Sequence, residues 1–173
     1  MEKIKLLSEK LINKIAAGEV LERPASAVKE LIENSLDAKA TKIDVFIRDG
    51  GKTEIKIVDN GNGISNEELP LSVKRHATSK LTDDNLFSIK TLGFRGEALP
   101  SIASVSKFKI ISKTNSDNVG SELYISAGEL VHNKLSNRPT GTTVIVKDIF
   151  FSTPARLKFL KSEKYENFLI KKT

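Results

Sequence analysis

Between residues 43 and 57 the sequence alternates apolar and polar side chains around a short turn, and that pattern excludes most architectures. Ile43, Val45 and Ile47 precede Asp49-Gly50-Gly51-Lys52, and Ile55 and Ile57 follow it. Period-two alternation on both sides of a Gly-rich turn reads as a β-hairpin with one covered face. Upstream the period becomes helical. Ser8 can cap a first helix whose apolar stripe is Leu11, Ile12, Ile15 and Ala16, with Gly18 expected to stop it. Pro24 suits the first turn of a second helix that runs to about Asp37, with Val28, Leu31, Ile32 and Leu36 on one face. Downstream, Ser65 to Glu68 forms a capping box, so a helix is expected there, although Pro70 interrupts its start. Arg75 to Thr91 reads as a polar loop, and Glu97 to Ser104 as an amphipathic helix. Strands are expected at about 107–113, 119–126, 129–135 and 141–147, then one helix from Thr153-Pro154 and another capped by Ser162. This order is not the strict alternation of a doubly wound sheet. The expected fold is α/β: a two-layer sandwich of a mixed, largely antiparallel sheet with helices on one face.

Composition narrows the function. With 173 residues, 39% hydrophobic and 29% charged, the chain can bury a core without staples. It has no cysteine, which removes disulfides, thiolate metal sites and a thiol nucleophile. No apolar run approaches the ~18 residues of a membrane helix. Met1 to Leu11 lacks the unbroken apolar core of a signal peptide, so a cytoplasmic address without a membrane partner is expected. The net charge is +6, and residues 150–173 supply +4 of it through Arg156, Lys158, Lys161, Lys164, Lys171 and Lys172 against Glu163 and Glu166. A basic tail attracts polyanions such as nucleic acid, but a solvated lysine face has the same composition.

Three patterns carry chemistry. Glu30 and Asn34 are four apart on the second helix, at the edge of its apolar stripe, so they point the same way. Such a pair can activate a water and hold a metal; it is equally the polar face of an amphipathic helix. Asp59 ends a strand and is followed by Asn60-Gly61-Asn62-Gly63. A carboxylate there can accept from a ligand amino group while Gly61 and Gly63 admit a close approach; ordinary turn chemistry explains the same residues. Gly93-Phe94-Arg95-Gly96 opens a helix, a natural phosphate cradle, although it matches neither Walker nor dinucleotide glycine motifs. In Arg75-His76-Ala77-Thr78-Ser79-Lys80, Lys80 can reach a phosphate as a point charge. His76 reads as structural.

Each pattern is weak alone; their order is specific. Asn13-Lys14-Ile15-Ala16-Ala17-Gly18-Glu19-Val20, Glu22-Arg23-Pro24-Ala25-Ser26 and Glu33-Asn34-Ser35-Leu36-Asp37-Ala38 are followed by Asp59-Asn60-Gly61-Asn62-Gly63-Ile64. Arg75-His76-Ala77-Thr78-Ser79-Lys80, Leu92-Gly93-Phe94-Arg95-Gly96-Glu97-Ala98-Leu99, Gly141-Thr142-Thr143-Val144 and Thr153-Pro154-Ala155-Arg156 complete the set. From about residue 5 to 161 the chain resembles the N-terminal ATPase region of the MutL DNA mismatch repair proteins, relatives of gyrase, the large heat-shock chaperones and histidine kinases.

The resemblance implies a Bergerat-type ATPase fold, with ATP and Mg²⁺ as cofactors. It makes Glu30 the general base, Asn34 the metal ligand, and Asp59 the acceptor of the adenine amino group above Gly61 and Gly63. Thr143 would support the adenine side. Lys80 and the amides of Gly93, Phe94, Arg95, Gly96, Glu97, Ala98 and Leu99 would surround the triphosphate. It also implies weak, non-specific DNA binding, an ATP-dependent homodimer in the intact protein, and mismatch-recognition and downstream repair proteins as partners. Residues 1–150 would be the ATP-binding domain and 151–173 the start of a connection to a second subdomain that supplies another phosphate lysine. Without that subdomain, slow turnover is expected. A non-catalytic DNA-binding or scaffold module is the alternative. Two departures stand out: Lys39 replaces a usual helix-ending Gly, and Pro100 replaces a small residue.

Overall fold

A computed structural model of the protein describes residues 6–75, 77 and 96–173. Its elements are α1 (Glu9–Val20), α2 (Pro24–Asp37), β1 (Ile43–Arg48), β2 (Glu54–Asp59), α3 (Leu69–Ser72), α4 (Ala98–Ser104), β3 (Lys107–Lys113), β4 (Gly120–Ser126), β5 (Glu129–Ser136), β6 (Gly141–Lys147), α5 (Pro154–Phe159) and α6 (Glu163–Lys171). The strands form one sheet in the order β1-β2-β6-β3-β4-β5. Every pairing among the described residues is antiparallel, so the sheet is purely antiparallel where a mixed one was expected.

Alternation sorts the strands into two faces. Ile55, Ile57, Phe108, Ile110, Leu123, Ile125, Val144 and Val146 point to one side and are buried there. Val28 and Leu31 of α2, Ala17 of α1, and Ile102 and Ala103 of α4 close over them as one core. Each buried Val, Ile, Leu or Phe side chain contributes roughly 1.5–3 kcal/mol relative to exposure.

The helices follow the sequence with exceptions that have physical causes. Ser8 caps α1 through Leu11 N–H, as expected. Gly18 does not stop α1, which continues to Val20. A Cβ at Gly18 would meet Arg156 Nη2 at 2.9 Å, so this glycine makes room for a side chain. The same guanidinium donates to the Leu21 carbonyl at 2.9 Å and closes the end of α1. The expected core stripe of α1 is also displaced: Leu11, Ile12 and Ile15 are 43–50% exposed, and Ala17 is the buried position. Ser65 and Glu68 form the capping box, but α3 is a single turn. Lys39 takes the left-handed conformation itself (φ 63°), so the loop needs no shift to do without glycine.

The start of α2 is pinned from the far end of the chain. Arg23, its N-cap residue, donates to Glu166 Oε1 at 2.7 Å, and Lys161 N–H donates to the same oxygen at 2.8 Å. Glu166 is fully buried, and the Arg23 guanidinium lies over the Phe159 and Tyr165 rings. α6 thereby packs on α2 and on the turn between β1 and β2.

Candidate functional site

Asp59 is the last residue of β2, on the helix side of the sheet, and only 6% exposed. Its carboxylate is held from three directions. Ser35 Oγ donates to Oδ2 at 2.7 Å. Gly61 N–H donates to Oδ1 at 2.9 Å, and Thr142 N–H donates to the same oxygen at 3.1 Å. A carboxylate offers about four acceptor positions, so one further donor can be accommodated. The carboxylate is therefore preorganised: Gly61 N–H ties it to its own turn, and Ser35 and Thr142 hold it from α2 and β6.

The backbone around it is fixed by close approach. Gly141 has φ 121°, and a Cβ there would stand 2.2 Å from the Asp59 carbonyl oxygen. Gly63 has φ 76°, and its Cβ would stand 2.1 Å from the Lys113 carbonyl oxygen. Protein packing alone thus requires glycine at Gly63. Asn60 turns away: its Oδ1 accepts from Thr41 and Lys42 N–H, the turn chemistry that competed with a ligand role. Ser112, fully buried, accepts from Ile64 N–H at 2.8 Å and contacts Thr142 Oγ1 at 2.8 Å, tying the glycine loop to β3 and β6.

α2 joins the parts of the site. Ser35 reaches Asp59 from the buried side of that helix. Glu30 and Asn34 lie four residues apart and half-buried on the same helix, about 6 Å along its axis. One rigid element therefore carries a carboxylate, an amide and the hydroxyl that orients a second carboxylate. α4 packs against α2; Gly96 and Glu97 lead into it and Ala98 and Leu99 open it, all half-buried, with Gly96 at φ 61°. Arg75 Nη2 pairs with Glu97 at 3.1 Å and fixes the first residue of that turn. Lys80, Gly93, Phe94 and Arg95 lie outside the described residues, as do His76 and Ser79.

Thr143 is placed differently from the expectation. Register opposes Val144 to Ile57 and Thr143 to Val58, so Thr143 belongs to the sheet face away from the helices. Its neighbour Thr142 is the residue in contact with Asp59 and Ser112. Ser35, Ser112 and Thr142 were missed. Ser35 carried a signal, since it follows Leu31 by four on the buried side of α2; the two adjacent threonines carried none without a register.

A cavity of about 190 Å³ lined by Lys42, Asp44, Val58, Asn60, Arg138 and Thr140 also touches Asp59. Asp44 and Val58 are cross-strand partners on the helix-free face, so this cavity lies across the sheet from the Asp59 carboxylate. Arg138 closes the end of the sheet there by donating to the Ile111 and Asp59 carbonyls at 3.1 and 3.2 Å. Burial pushes its guanidinium below the usual arginine pKa, and Asp59 opposes that shift.

A family model for histidine kinase-, DNA gyrase B-, and HSP90-like ATPases matches residues 22–148. The chain belongs to this ATPase family. Within it, the chain is 56% identical over 167 residues to the DNA mismatch repair protein MutL of Persephonella marina, covering 96% of this chain and 32% of that protein. It is 53% identical to MutL of Cellvibrio japonicus, covering 96% of this chain and 27% of that one. The chain thus spans about a third or less of the curated relatives it matches. The solved Aquifex aeolicus MutL ATPase domain complexed with ADP superposes with a TM-score of 0.73 at 39% identity, covering 88% of this chain and 53% of that one. This ATPase-family fold accounts for the two-layer sandwich and for the placement of α2 beside the end of β2. No helix among the described residues is long and apolar enough to cross a membrane.

Proposed function

We propose that the chain is the ATP-binding part of a MutL-type mismatch repair protein, and that the pocket around Asp59 and α2 receives Mg²⁺-ATP. The observation that carries this reading is the Asp59 carboxylate: buried, held by three donors, and left with an acceptor position for an exocyclic amino group. The similar Aquifex domain was solved with ADP, which supports the same ligand class here. In this reading Asp59 accepts from the adenine amino group, with the Gly61 and Gly63 loop beside the base and Thr142 supporting its carboxylate. The phosphates then lie toward Asn34, Glu30 and the amides of Gly96 to Leu99, with Lys80 and Gly93 to Arg95 completing the charge.

The donor set fits a hard cation. Asn34 offers an amide oxygen, and among the described residues no group of three or more His, Cys, Asp or Glu could cage a softer metal. Magnesium with one protein ligand keeps its remaining positions for phosphate oxygens and water. When bound, it would neutralise phosphate charge. Glu30 would take the proton from the water that attacks the γ-phosphate, while α2 fixes its spacing from Asn34.

Other properties belong to the same proposal. The exposed Leu6, Leu7, Leu11, Ile12 and Ile15 around α1 suit burial in an ATP-dependent homodimer of the intact protein. The basic groups of α5 and α6 suit weak, non-specific DNA binding, and relay to other repair proteins in the cytoplasm completes the reading. Slow turnover by these 173 residues is expected; a rate equal to that of a full-length relative would overturn that part.

The test is nucleotide-induced thermal stabilisation. ATP at a hundredfold excess over its dissociation constant should stabilise the wild type by about 2.7 kcal/mol. Asp59→Asn should abolish the shift with or without metal. Asn34→Ala should remove only its dependence on magnesium. An unchanged shift in Asp59→Asn would overturn the site.

A further inference from the structure

The ladder between β2 and β6 breaks at the residue that matters most. Register pairs Val58 with Thr143, so Asp59 and Thr142 are the next partners in line. Asn60 N–H donates to the Lys42 carbonyl on the β1 side at 3.3 Å, so by alternation the Asp59 carbonyl turns toward β6. Its natural donor there is Thr142 N–H, but that group donates to Asp59 Oδ1 at 3.1 Å instead. The side chain has taken the donor that its own main chain would use. Arg138 supplies the replacement. Its Nη2 donates to the Asp59 carbonyl at 3.2 Å and its Nη1 to the Ile111 carbonyl at 3.1 Å. β6 runs between β2 and β3, so a single guanidinium ties the two flanking strands across the start of the middle one.

Closing a sheet end does not need a charge. Arg138 is half-buried, and both of these acceptors are neutral carbonyls, so its charge loses hydration without gaining a carboxylate contact in return. Burial lowers its pKa accordingly, and the attraction of Asp59 is what opposes the fall. That attraction is mutual, so Arg138 holds Asp59 both by the main chain and by charge. The fastening is also stiff. Pro139 follows Arg138, and a residue before proline is confined to extended backbone. Gly141 sits so close that a Cβ there would stand 2.2 Å from the same Asp59 carbonyl oxygen, which leaves the end of β2 no slack. A planar fork that reaches two acceptors in fixed directions suits this position; an ammonium does not.

We propose that Arg138 is a positioning residue for base recognition: by taking the Asp59 carbonyl it releases Thr142 N–H to the carboxylate, and so aims that carboxylate at the exocyclic amino group of a purine. Arg138 acts from the side of the sheet away from the helices and reaches the pocket only through Asp59. The inference rests on the reading of the Asp59 pocket as an adenine site and deepens it, because it names the residue outside the pocket that sets the preference for an amino-bearing base. A fastener of the sheet alone would weaken every nucleotide alike. A positioning residue weakens most the nucleotide whose amino group the carboxylate meets.

The experiment is calorimetric titration of the 173-residue chain, with magnesium present, by ATP and by purine riboside 5′-triphosphate, which lacks only the amino group. The wild type should prefer ATP by about tenfold or more, the range of a hydrogen bond to a charged acceptor. Arg138→Gln should lose most of that preference, through weaker ATP binding and nearly unchanged binding of the analogue. Arg138→Lys should fall between the two, since an ammonium cannot hold both carbonyls in the same geometry. Val146→Ala, a core change about 17 Å along β6 from Gly141, should lower the melting temperature and keep the preference. If Arg138→Gln melts without cooperativity, Arg138→Lys decides. A preference that survives in the Arg138 variants, or equal weakening of both nucleotides, overturns the positioning role while the adenine pocket stands. So does loss of the preference in Val146→Ala, which would make it a measure of stability. A wild type that binds both nucleotides equally overturns the adenine reading and this inference with it.

Discussion

The two faces of the sheet come from the same strands and share nothing else. On the helix side, Ile55, Phe108, Ile110 and Val146 are within 1% of complete burial, and the one carboxylate at its end is held by three donors. On the other side, carboxylates are shared among several cations. A period of two lets adjacent residues answer to different solvents. The inner face therefore sets stability and the geometry of one pocket, while the outer face is free to vary in charge.

That division makes unequal demands on neighbouring residues. Phe108→Ala should cost about 3–5 kcal/mol in urea unfolding, as full-size aromatic deletions in closed cores do. Lys109→Ala, one residue on, should change stability by no more than about 0.5 kcal/mol. Comparable losses at both positions would break the distinction. A smaller effect sharpens it at the pocket: Ser35→Ala removes a hydrogen bond to a buried carboxylate and should cost about 1.5–3 kcal/mol, with weaker ATP binding. If stability falls while ATP affinity holds, Ser35 supports the core and not the ligand site.

The smallest effect lies on the outer face and is read through pH. Burial pushes the Glu122 carboxyl up, but the His132 hydrogen bond with Lys109 and Lys134 outweighs it and leaves the pKa below the usual carboxylate value. A lowered folded pKa contributes stability that is present above the unfolded pKa, about 4.3, and is lost as pH falls through the folded one. Glu122→Gln should therefore lower stability at neutral pH, flatten the acid limb of the stability profile and converge on the wild type in acid. An acid limb of unchanged slope would show that this carboxylate is merely solvated.

Much of this was readable in advance, for a physical reason. Period-two segments flanked by turn residues located all six strands within a residue or two, because alternation is imposed by the pleat itself. Pro24 and Ser162 marked helix starts because caps are local chemistry. What failed needed tertiary information. The stripe Leu11, Ile12, Ile15 satisfies the helical period perfectly well while facing outward, since amphipathicity says that a face wants cover and not which molecule supplies it. Gly18 read as a stop because its partner, Arg156, is distant in sequence. At the site, type and spacing drew attention to Asp59 and to the Glu30/Asn34 pair, while their proposed roles rest on the family resemblance. Thr142 was not distinguished from Thr143, because two identical neighbours differ only in which way the strand turns them.

The contact between Arg23 and Glu166 has a further consequence. Separating them would strand one charge in an apolar environment, at a cost of about 3–5 kcal/mol. Peeling α6 away and fraying the first turn of α2 are therefore a single opening event, and amide exchange in those two segments should rise and fall together. Strain applied to α6 reaches α2 as a change in how often its first turn opens, before any atom of the pocket has moved.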